Sequence, residues 1–296
     1  MNILIIANPV SGKRKSKNIL ENLVIPKLNS KKIHYKYLFT AYPLHGNELI
    51  QREDINNFDL LLVLGGDGTM HEIINGMLNR NDNINIPIGL LPTGSGNSLL
   101  HDRGNTNLQT NLNKILEYNI SKIDLLKIST TKQKFYSINL MGWGMVNDIA
   151  ILAEKMRWIG PIRYNISSII EIFRYYPKHV DIEIDGKTYK GKYTFIIACN
   201  TIYVGKGMKM APHAKLDDGK MDLIIIKDNF NKFKLLKMFP KLFNGNHIHD
   251  KIVEYKQAKH MKLIPQFNTA INIDGEITGE TPIAIEVIPK IIKLLN

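Results

Sequence analysis

The stretch LLLVLGGDGTMHEIINGM, residues 60–77, decides the fold of this chain. Its apolar beginning predicts a buried strand, and the apolar spacing from Met70 to Met77 predicts a helix soon after it. The intervening GGDGT, residues 65–69, lets backbone N–H groups approach phosphate oxygens, and the helix N-terminus adds a positive dipole. Since Asp67 would repel an anion in a simple phosphate cradle, it indicates a group that handles a proton or a metal ion. The loop therefore predicts phosphoryl transfer.

The same alternation of strand and helix extends on both sides of this stretch, over residues 1–125. It favours an α/β domain with a doubly wound parallel sheet, whose ligands bind beyond the carboxyl ends of the strands. The predicted strands are 3–8, 34–40, 60–65 and the start of 87–100, and the predicted helices are 15–29, 46–53 and 71–78.

Three glycine-containing loops follow predicted strands of this domain, at residues 8–12, 65–69 and 93–97. The first, Asn8-Pro-Val-Ser-Gly-Lys13, lacks the spacing of a Walker phosphate loop. The third, Thr93-Gly-Ser-Gly-Asn97, carries small hydroxyl donors. Because two such loops on neighbouring strands can hold one nucleotide between them, the set is more specific than any single loop.

From about Lys127 onward the pattern changes to short alternating runs separated by Gly, Asp and Asn turns. Asp185-Gly186 lies between two such runs and predicts a hairpin. Residues 126–296 are therefore expected to form a mostly antiparallel, sandwich-like β domain, interrupted by helices near 149–175 and 231–243. The return of the C-terminal segment to the first domain is left open.

Composition limits the class of protein. The 296 residues are 44% hydrophobic and 22% charged, which are globular values, and they suffice for two domains. No apolar run reaches about 18 residues, so no transmembrane helix is expected. The opening MNILIIANPV lacks a basic region before its apolar run and predicts a strand rather than a signal peptide. A lone cysteine, Cys199, excludes a disulfide framework and fits a cytoplasmic location.

The formal net charge of +12 favours anionic partners. The lysines are not interleaved with aromatic residues as in nucleic-acid modules, so no nucleic-acid partner is expected. Peripheral association with an anionic membrane is predicted instead, through the basic, amphipathic segment 231–243 and through an apolar lip at Gly207 to Met210. A simple packing role for 231–243 is the alternative. Oligomeric state is not indicated.

Together these elements resemble the diacylglycerol kinase catalytic superfamily, which includes the sphingosine and ceramide kinases. Segments 141–166, 211–226 and NIDGE at 272–276 extend the resemblance over nearly the whole chain. It implies an ATP- and Mg²⁺-dependent lipid kinase with two lobes and a nucleotide cleft between them. The acceptor would be a primary hydroxyl of a sphingoid or glycerolipid substrate.

The loops and the motif match together assign a set of nucleotide-binding residues. Those near position 160 are two arginines, which a break at Gly160-Pro161 lets converge on one phosphate. The set is Asn8, Ser11, Gly12, Thr40, Gly65, Gly66, Gly68, Thr69, Glu72, Gly94, Ser95, Gly96, Asn97, Arg157, Arg163 and Gly275.

Two carboxylates qualify as the general base that a primary hydroxyl requires, namely Asp67 and Glu276. We favour Asp67, in which case Glu276 binds Mg²⁺ or orients the nucleotide. A cap on the following helix is the structural alternative for Asp67. The metal ligands stay unassigned, since Asp217 and Asp218 fit a turn at least as well as a magnesium site, and Asp274 fits a turn.

The lipid headgroup is not decided by the sequence. Sphingosine kinases carry an amine-binding aspartate at the position of Ala150, two residues beyond Asp148. A buried ammonium needs a counter-ion, so Ala150 favours a neutral headgroup such as ceramide or diacylglycerol, whereas Asp148 remains a candidate substrate-binding residue. The alternatives to a lipid kinase are an NAD kinase, whose family also uses GGDGT, and a non-catalytic lipid- or nucleotide-binding relative.

Overall fold

The computed structural model describes residues 1–94, 97–102, 104, 107–205, 207–228 and 231–295, without the side chains of Lys13, Arg14, Arg157 and Pro161. The chain divides into two compact units. Unit 1 comprises Met1–Asp124 and Pro289–Asn296, and unit 2 comprises Leu125–Ile288. The last residues of the chain thus belong with the first unit.

Unit 1 is built on a parallel sheet with the strand order β2–β1–β3–β4. The strands are β1 (Asn2–Ala7), β2 (His34–Phe39), β3 (Leu60–Gly65) and β4 (Ile88–Pro92). The helices are α1 (Ser11–Arg14), α2 (Ser16–Ile19), a π-helical segment (Leu20–Val24), α3 (Ile25–Ser30), α4 (His45–Arg52), α5 (Asp67–Leu78), α6 (Ser98–Asp102) and α7 (Leu108–Leu116). This confirms the predicted α/β domain.

Both faces of the central strands are covered, because alternate side chains of a strand point to opposite faces. Ile3 and Ile5 pack with Leu20, Val24 and Leu28 in one apolar cluster. The intervening residues of β1 on the opposite face are also fully buried. Continuous burial of this kind is typical of parallel strands enclosed between helices.

Two helix boundaries differ from those predicted. The helix after GGDGT begins at Asp67, four residues before the predicted start at His71, since the polar first turn carries no apolar periodicity. The predicted helix 15–29 is divided by a π-helical segment at Leu20–Val24. Apolar spacing marks a buried face and does not mark where the backbone pairing changes.

Unit 2 is an antiparallel β structure, as predicted for the second half of the chain. Its central strand β9 pairs with β7, β8 and β12. The strands are β5 (Ile120–Thr130), β6 (Lys134–Ser137), β7 (Leu140–Gly144), β8 (Lys178–Ile184), β9 (Lys187–Cys199), β10 (Tyr203–Val204), β11 (Met208–Lys209), β12 (Met221–Lys227), β13 (Val253–Ala258), β14 (His260–Pro265), β15 (Ala270–Ile273), β16 (Glu276–Glu280) and β17 (Ile283–Leu295), of which β5 and β17 continue into unit 1.

The helices of unit 2 pack on one face of these strands. They are α8 (Met145–Lys155), α9 (Arg163–Arg174) and α10 (Lys232–Met238), with 3₁₀ segments at Arg157–Ile162, Phe239–Phe243 and Asn246–His249. Ile224 and Ile226 of β12 face the helices, whereas Leu223 and Ile225 join a second apolar cluster. The two clusters follow from the two-residue period of a strand buried on both faces.

The predicted hairpin at Asp185-Gly186 joins β8 to β9, with positive φ angles of 44° and 81°. Within the described residues, no helix is long and apolar enough to cross a membrane.

Candidate functional site

The strand register of unit 1 brings the three glycine-containing loops to one edge of the sheet. Ala7 pairs with Phe39 on one side and with Leu64 on the other, and Gly65 pairs with Pro92. The four strands therefore end level with one another. Backbone bonds continue past this point, from Asn8 N–H to the Leu64 carbonyl at 2.9 Å, from Thr40 to Ala7 at 3.0 Å and from Thr93 to Gly65 at 3.0 Å.

Glycine is required where these loops touch. A Cβ on Gly94 would lie 2.5 Å from the Cα of Gly66, and a Cβ on Gly12 would lie 1.7 Å from the Thr93 carbonyl oxygen. Gly12 also has a φ of +57°, which favours glycine. Loop-to-loop contact thus explains these glycines in part, in addition to any approach of a phosphate.

One side-chain hydrogen bond joins the first loop to the second, and another lies within the third loop. Asn8 Nδ2 donates to Thr69 Oγ1 at 3.1 Å, and Asn97 Nδ2 donates to the Gly94 carbonyl at 2.9 Å. Ser11 and Gly68 are half-buried in the first and second loops. The predicted nucleotide residues Ser95 and Gly96 lie outside the described residues.

The N-terminus of α5 lies where the three loops come together. Gly66 is its N-cap in an extended conformation, and among the described residues no side-chain cap bonds to the first turn. The first N–H groups of a helix have no partner within the helix, so an uncapped start with its positive dipole can bind an anion. Gly66 and its neighbours therefore fit phosphate oxygens.

Asp67 is the first residue of α5, but its carboxylate does not cap that helix. Its two oxygens accept hydrogen bonds from the Ser98 backbone N–H at 2.9 and 3.2 Å, and Oδ2 accepts from the Ser98 hydroxyl at 3.3 Å. Ser98 is the first residue of α6, so the carboxylate bonds the start of a second helix. The structural alternative placed this cap on the helix that follows Asp67, and that prediction is wrong, because the helix it bonds is α6. These bonds fix the orientation of a half-buried carboxylate.

Glu72 organises the turn that follows β2. Its carboxylate oxygens accept from the backbone N–H groups of Leu44 and Gly46, each at 2.9 Å. Leu44 has a φ of 68°, a conformation that these bonds help to hold. The turn joins Thr40, which is buried at the end of β2, to α4. Glu72 thus affects the site indirectly, because it holds the turn between β2 and α4 in place.

The remaining predicted residues belong to unit 2. Gly275 and Glu276 lie at the exposed tip of the β15–β16 hairpin, where Ile273 pairs with Glu276. The Gly275 N–H donates to Asn272 Oδ1 at 2.9 Å, which closes the turn. No carboxylate or basic partner of Glu276 occurs among the described side chains, so its carboxylate faces solvent.

Asp274, in the same turn, is a residue whose importance the sequence did not indicate. Its Oδ1 accepts from the Ser137 hydroxyl at 2.7 Å and from the Asn139 and Leu140 N–H groups at 2.8 and 3.0 Å. Its Oδ2 accepts from Ile138 N–H at 3.1 Å. This carboxylate anchors the hairpin to the turn between β6 and β7. An αL aspartate before glycine, with a φ of 52°, is the local signal that predicts only a turn.

The helical backbone is interrupted between the two predicted arginines, as the Gly-Pro pair indicated. Gly160 has a φ of 71° and a ψ of −147°, and α9 begins afresh at Arg163. The Arg163 guanidinium lies 3.5 Å from Glu154 and stacks on the ring of Tyr164 with a centroid distance of 5.0 Å. The side chain of Arg157 lies outside the described atoms, so the predicted convergence stays a prediction.

Asp148 lines a cavity of about 410 Å³ beside α8 and α9. Burial raises the pKa of its carboxyl, whereas the ammonium of Lys178, 3.9 Å away, and the charge of Arg174 oppose this rise. The Tyr175 hydroxyl is buried without a hydrogen-bond partner in the described structure, and burial next to Asp148 raises its pKa. The lining residues are Asp148, Ile151, Leu152, Lys155, Glu171, Arg174, Tyr175, Tyr176 and Lys178.

The described residues contain no cluster of metal-ligating side chains. In the described part of the chain, no three His, Cys, Asp or Glu side chains lie together as a metal site. Asp218 accepts from the Lys220 N–H at 3.0 Å, which fits the turn alternative for Asp217 and Asp218. Asp222, three residues after Gly219, is fully buried and accepts from the Tyr255 hydroxyl at 2.6 Å.

Comparison with known proteins matches both halves of the chain to family models. A model described as the diacylglycerol kinase catalytic domain matches residues 2–128. A model described as the YegS C-terminal NAD kinase beta sandwich-like domain matches residues 140–296.

Curated relatives with kinase names align along most of the chain. Sphingosine kinase 1 of Arabidopsis thaliana is 29% identical over 311 residues, covering 89% of this chain and 64% of that protein. This chain therefore spans less than two thirds of the length of that relative. Diacylglycerol kinase of Bacillus subtilis (strain 168) is 25% identical, covering 94% of this chain and 90% of that protein.

Solved structures share the fold. The crystal structure of a diacylglycerol kinase from Bacillus anthracis str. Sterne aligns with a TM-score of 0.73 at 19% identity, covering 99% of this chain and 96% of that one. Another from the same organism aligns with a TM-score of 0.80 at 23% identity and equal coverage. At this identity the likeness establishes the architecture, and function depends on the site.

Proposed function

Because the chain belongs to the family that joins a diacylglycerol kinase catalytic domain to a YegS C-terminal domain, we propose that it transfers the γ-phosphoryl group of ATP to a primary hydroxyl of a lipid. The observation that carries this proposal is the meeting of three loops around the uncapped start of α5, beside the oriented carboxylate of Asp67. Anion-binding N–H groups and a carboxylate at one strand edge are what phosphoryl transfer requires.

The chemical roles of the unit 1 residues follow from their geometry. The open N–H groups at the start of α5 hold phosphate oxygens and offset the charge that develops on them. Asp67 accepts the proton of the attacking hydroxyl, and its bonds to Ser98 hold the acceptor oxygens in place. Since phosphoryl transfer proceeds through a loose transition state, orientation of the base matters more than high basicity.

Magnesium in kinases is commonly held by one or two carboxylates together with substrate phosphates, and it neutralises charge on the transferred group. Each unit offers such a donor, because Asp67 lies at the start of α5 in unit 1 and Glu276 presents an exposed carboxylate in unit 2. We assign Glu276 to orienting the nucleotide or holding the metal, as its open position allows. Arg163 and Arg157 would supply positive charge to the phosphates.

We further propose that the acceptor lipid has a neutral headgroup, of the diacylglycerol or ceramide class. Ala150 is nearly buried and offers no counter-ion. Asp148 already faces the Lys178 ammonium at 3.9 Å and the positive field of Arg174. A cationic headgroup at Asp148 would meet these like charges, so a substrate amine is disfavoured there.

Labelled phosphate transfer from ATP and Mg²⁺ tests both parts of the proposal. The acceptors are diacylglycerol, ceramide, sphingosine and monoacylglycerol in mixed micelles, with NAD⁺ in a parallel reaction. Labelled diacylglycerol or ceramide supports the proposal, and a preference for sphingosine overturns the headgroup assignment alone. Label on NAD⁺, or ATP binding with no labelled acceptor, overturns the lipid kinase.

A further inference from the structure

The cavity of about 410 Å³ beside α8 and α9 is large enough for a small organic molecule. One wall is a single stripe of α8, with Asp148 and Lys155 at its two ends and Ile151 and Leu152 between them. Residues three, four and seven positions apart lie on the same face of a helix. The last turn of α9 and the residues that follow it line the other side. The cavity therefore has a charged group at each end of an apolar wall.

The inner end of the cavity holds two polar groups that the protein does not satisfy. Tyr175 is 6% exposed, and its hydroxyl has no hydrogen-bond partner in the described structure. The Asp148 carboxylate accepts no hydrogen bond from the described residues, since the Lys178 ammonium is 3.9 Å away. The two groups interact, because the charge of Asp148 contributes to raising the pKa of the Tyr175 hydroxyl. A hydroxyl and a carboxylate thus lie together without a donor or acceptor between them.

The outer end of the cavity is basic. Lys155 is exposed and has no carboxylate within ion-pair distance among the described residues. The side chain of Arg174 is 68% exposed and meets a single oxygen of Glu171 at 3.4 Å, so most of its guanidinium donors face solvent. The lining as a whole carries one more cation than it carries carboxylates, because Lys178 adds a third cation and Asp148 is the second acid. The outer end therefore favours an anionic group.

The two ends ask for different chemical groups. A carboxylate only accepts hydrogen bonds, whereas a phenol donates and accepts. A ligand hydroxyl suits both partners at the inner end, because it can donate to Asp148 and accept from Tyr175. An ammonium there would meet Lys178, and a phosphate there would meet the carboxylate charge. A phosphate fits the outer end, since guanidinium and ammonium groups are the usual donors to phosphate oxygens.

We propose that this cavity binds a phosphorylated polyol, such as a glycerol phosphate or a sugar phosphate. Its hydroxyl groups bond Asp148 and Tyr175 at the inner end. Its phosphate lies at the outer end, against Arg174 and Lys155, and its carbon skeleton contacts the apolar stripe of α8. The same chemistry occurs in a free phosphorylated polyol and in the headgroup of a glycerolipid. The inference does not depend on the proposed phosphoryl transfer, because none of the phosphate-binding loops of unit 1 takes part.

Isothermal titration calorimetry tests the site without any kinase reaction. The wild-type protein should bind glycerol 3-phosphate or glucose 6-phosphate with one site per chain. Its affinity for them should exceed that for inorganic phosphate, glycerol or glucose at least about tenfold, because only the phosphorylated polyols reach both ends. No binding of either phosphorylated polyol, or an equal affinity for inorganic phosphate, overturns the proposal.

Two variants locate the ligand. Tyr175→Phe removes a hydroxyl that has no partner in the protein, so the fold should be retained while the affinity falls about three- to tenfold. Arg174→Gln should weaken binding at least about tenfold. The matched controls are Tyr193→Phe, a buried tyrosine of the other apolar cluster, and Arg52→Gln, an exposed arginine 3.5 Å from Glu48 in unit 1. If Tyr175→Phe and Arg174→Gln bind as the wild type and the controls do, this cavity is not the site.

Competition experiments separate the cavity from the proposed kinase site and identify the source of the ligand. Saturating Mg²⁺-ATP should leave the affinity for glycerol 3-phosphate unchanged. Displacement by ATP would place the ligand on the loops of unit 1, and displacement by water-soluble dioctanoylglycerol would assign the cavity to the lipid acceptor. Either displacement overturns the inference. A short-chain monoacylglycerol 3-phosphate that binds at least about tenfold tighter than glycerol 3-phosphate supports a lipid headgroup as the source, and an equal affinity supports the free compound.

Discussion

Two Asp-Gly pairs that look alike in the sequence occupy opposite chemical environments. Asp67-Gly68 in unit 1 begins α5, and its half-buried carboxylate accepts from the backbone N–H and the hydroxyl of Ser98. Asp274-Gly275 in unit 2 forms a hairpin turn, and its carboxylate is buried among donors from residues 137–140. The difference teaches that burial and the number of donors, which depend on distant segments, separate an accessible carboxylate from an anchoring one.

The contrast assigns chemistry to one pair and architecture to the other. Asp274 is buried and accepts four hydrogen bonds in its charged form, which makes it a poor proton acceptor and a strong structural link, whereas Asp67 is only half-buried. Asp274 therefore positions the tip of the β15–β16 hairpin, which carries Glu276 two residues later. Asp67 stays the candidate base, with its oxygens oriented by Ser98 at the edge where the three loops meet.

Replacing Asp67 should have the largest effect on activity. Asp67→Asn removes the proton acceptor and keeps the shape of the side chain, so kcat should fall about 10²- to 10⁴-fold. Steady-state phosphate transfer measures the loss, and calorimetry should show ATP binding close to that of the wild type. Wild-type turnover in this variant would remove the base assignment.

Glu276→Gln is the counterpart that sharpens this result. If Glu276 orients the nucleotide or holds the metal, its loss should raise KM for Mg²⁺-ATP or weaken Mg²⁺ activation more than it affects the pH dependence of kcat. Glu276→Gln could instead lose as much turnover as is expected for Asp67→Asn while nucleotide binding stays unchanged. That result would assign the general base to Glu276 in unit 2.

Replacing Asp274 should have the largest effect on stability. Asp274→Ala leaves four donors of residues 137–140, three of them in buried hydrogen bonds, without this acceptor, so the unfolding free energy should drop by about 2–4 kcal/mol. Denaturant unfolding measures the change. Asp185→Ala is the matched control, because Asp185 also precedes a hairpin glycine but its side chain is 46% exposed. An equal loss at both positions would show that turn geometry, and not the buried donors, explains Asp274.

Gly94→Ala tests the contact between the second and third loops of unit 1. The added Cβ would lie 2.5 Å from the Cα of Gly66, so the loops must separate, at a cost of about 1–3 kcal/mol. If this edge holds the phosphates as proposed, ATP affinity should fall because the edge is displaced. Gly191→Ala is the control, since its Cβ would have its nearest contact at 3.6 Å. Unchanged ATP affinity in Gly94→Ala would separate the loop contact from nucleotide binding.

The smallest expected effect concerns another buried aspartate, Asp222. Burial raises the pKa of its carboxyl above 3.8, and one of its oxygens has no hydrogen-bond partner in the described structure. The stability that a raised pKa contributes is present below pH 3.8 and is lost as pH rises through the folded-state pKa.

Asp222→Asn cannot ionise, so it should lose less stability than the wild type between pH 4 and neutrality. Thermal unfolding across this range measures the difference between the two proteins. If the unfolding temperatures of both proteins change in parallel with pH, the neighbours of Asp222 stabilise its ionised form as well as those of Asp274 do.

Prediction from sequence worked where one physical signal dominated. Continuous apolar runs such as Leu60 to Leu64 predict buried parallel strands, and the parallel order then requires Asn8, Gly66 and Thr93 to share an edge. The start of α5 was placed too late, at His71, because polar residues of a first turn give no periodic signal. The anchoring role of Asp274 was missed because its partners lie about 135 residues away in the chain.

The amino-acid sequence by itself determined the α/β and β-rich halves, the three loops and the family, since these depend on local spacing and residue type. Only the tertiary structure decided the partner of the Asp67 carboxylate, the burial of Asp274 and the joining of Phe173 to Phe233. Each of these is a contact between segments far apart in the chain. The free energy of such a contact depends on which donors and apolar surfaces packing brings together, and no local pattern records that.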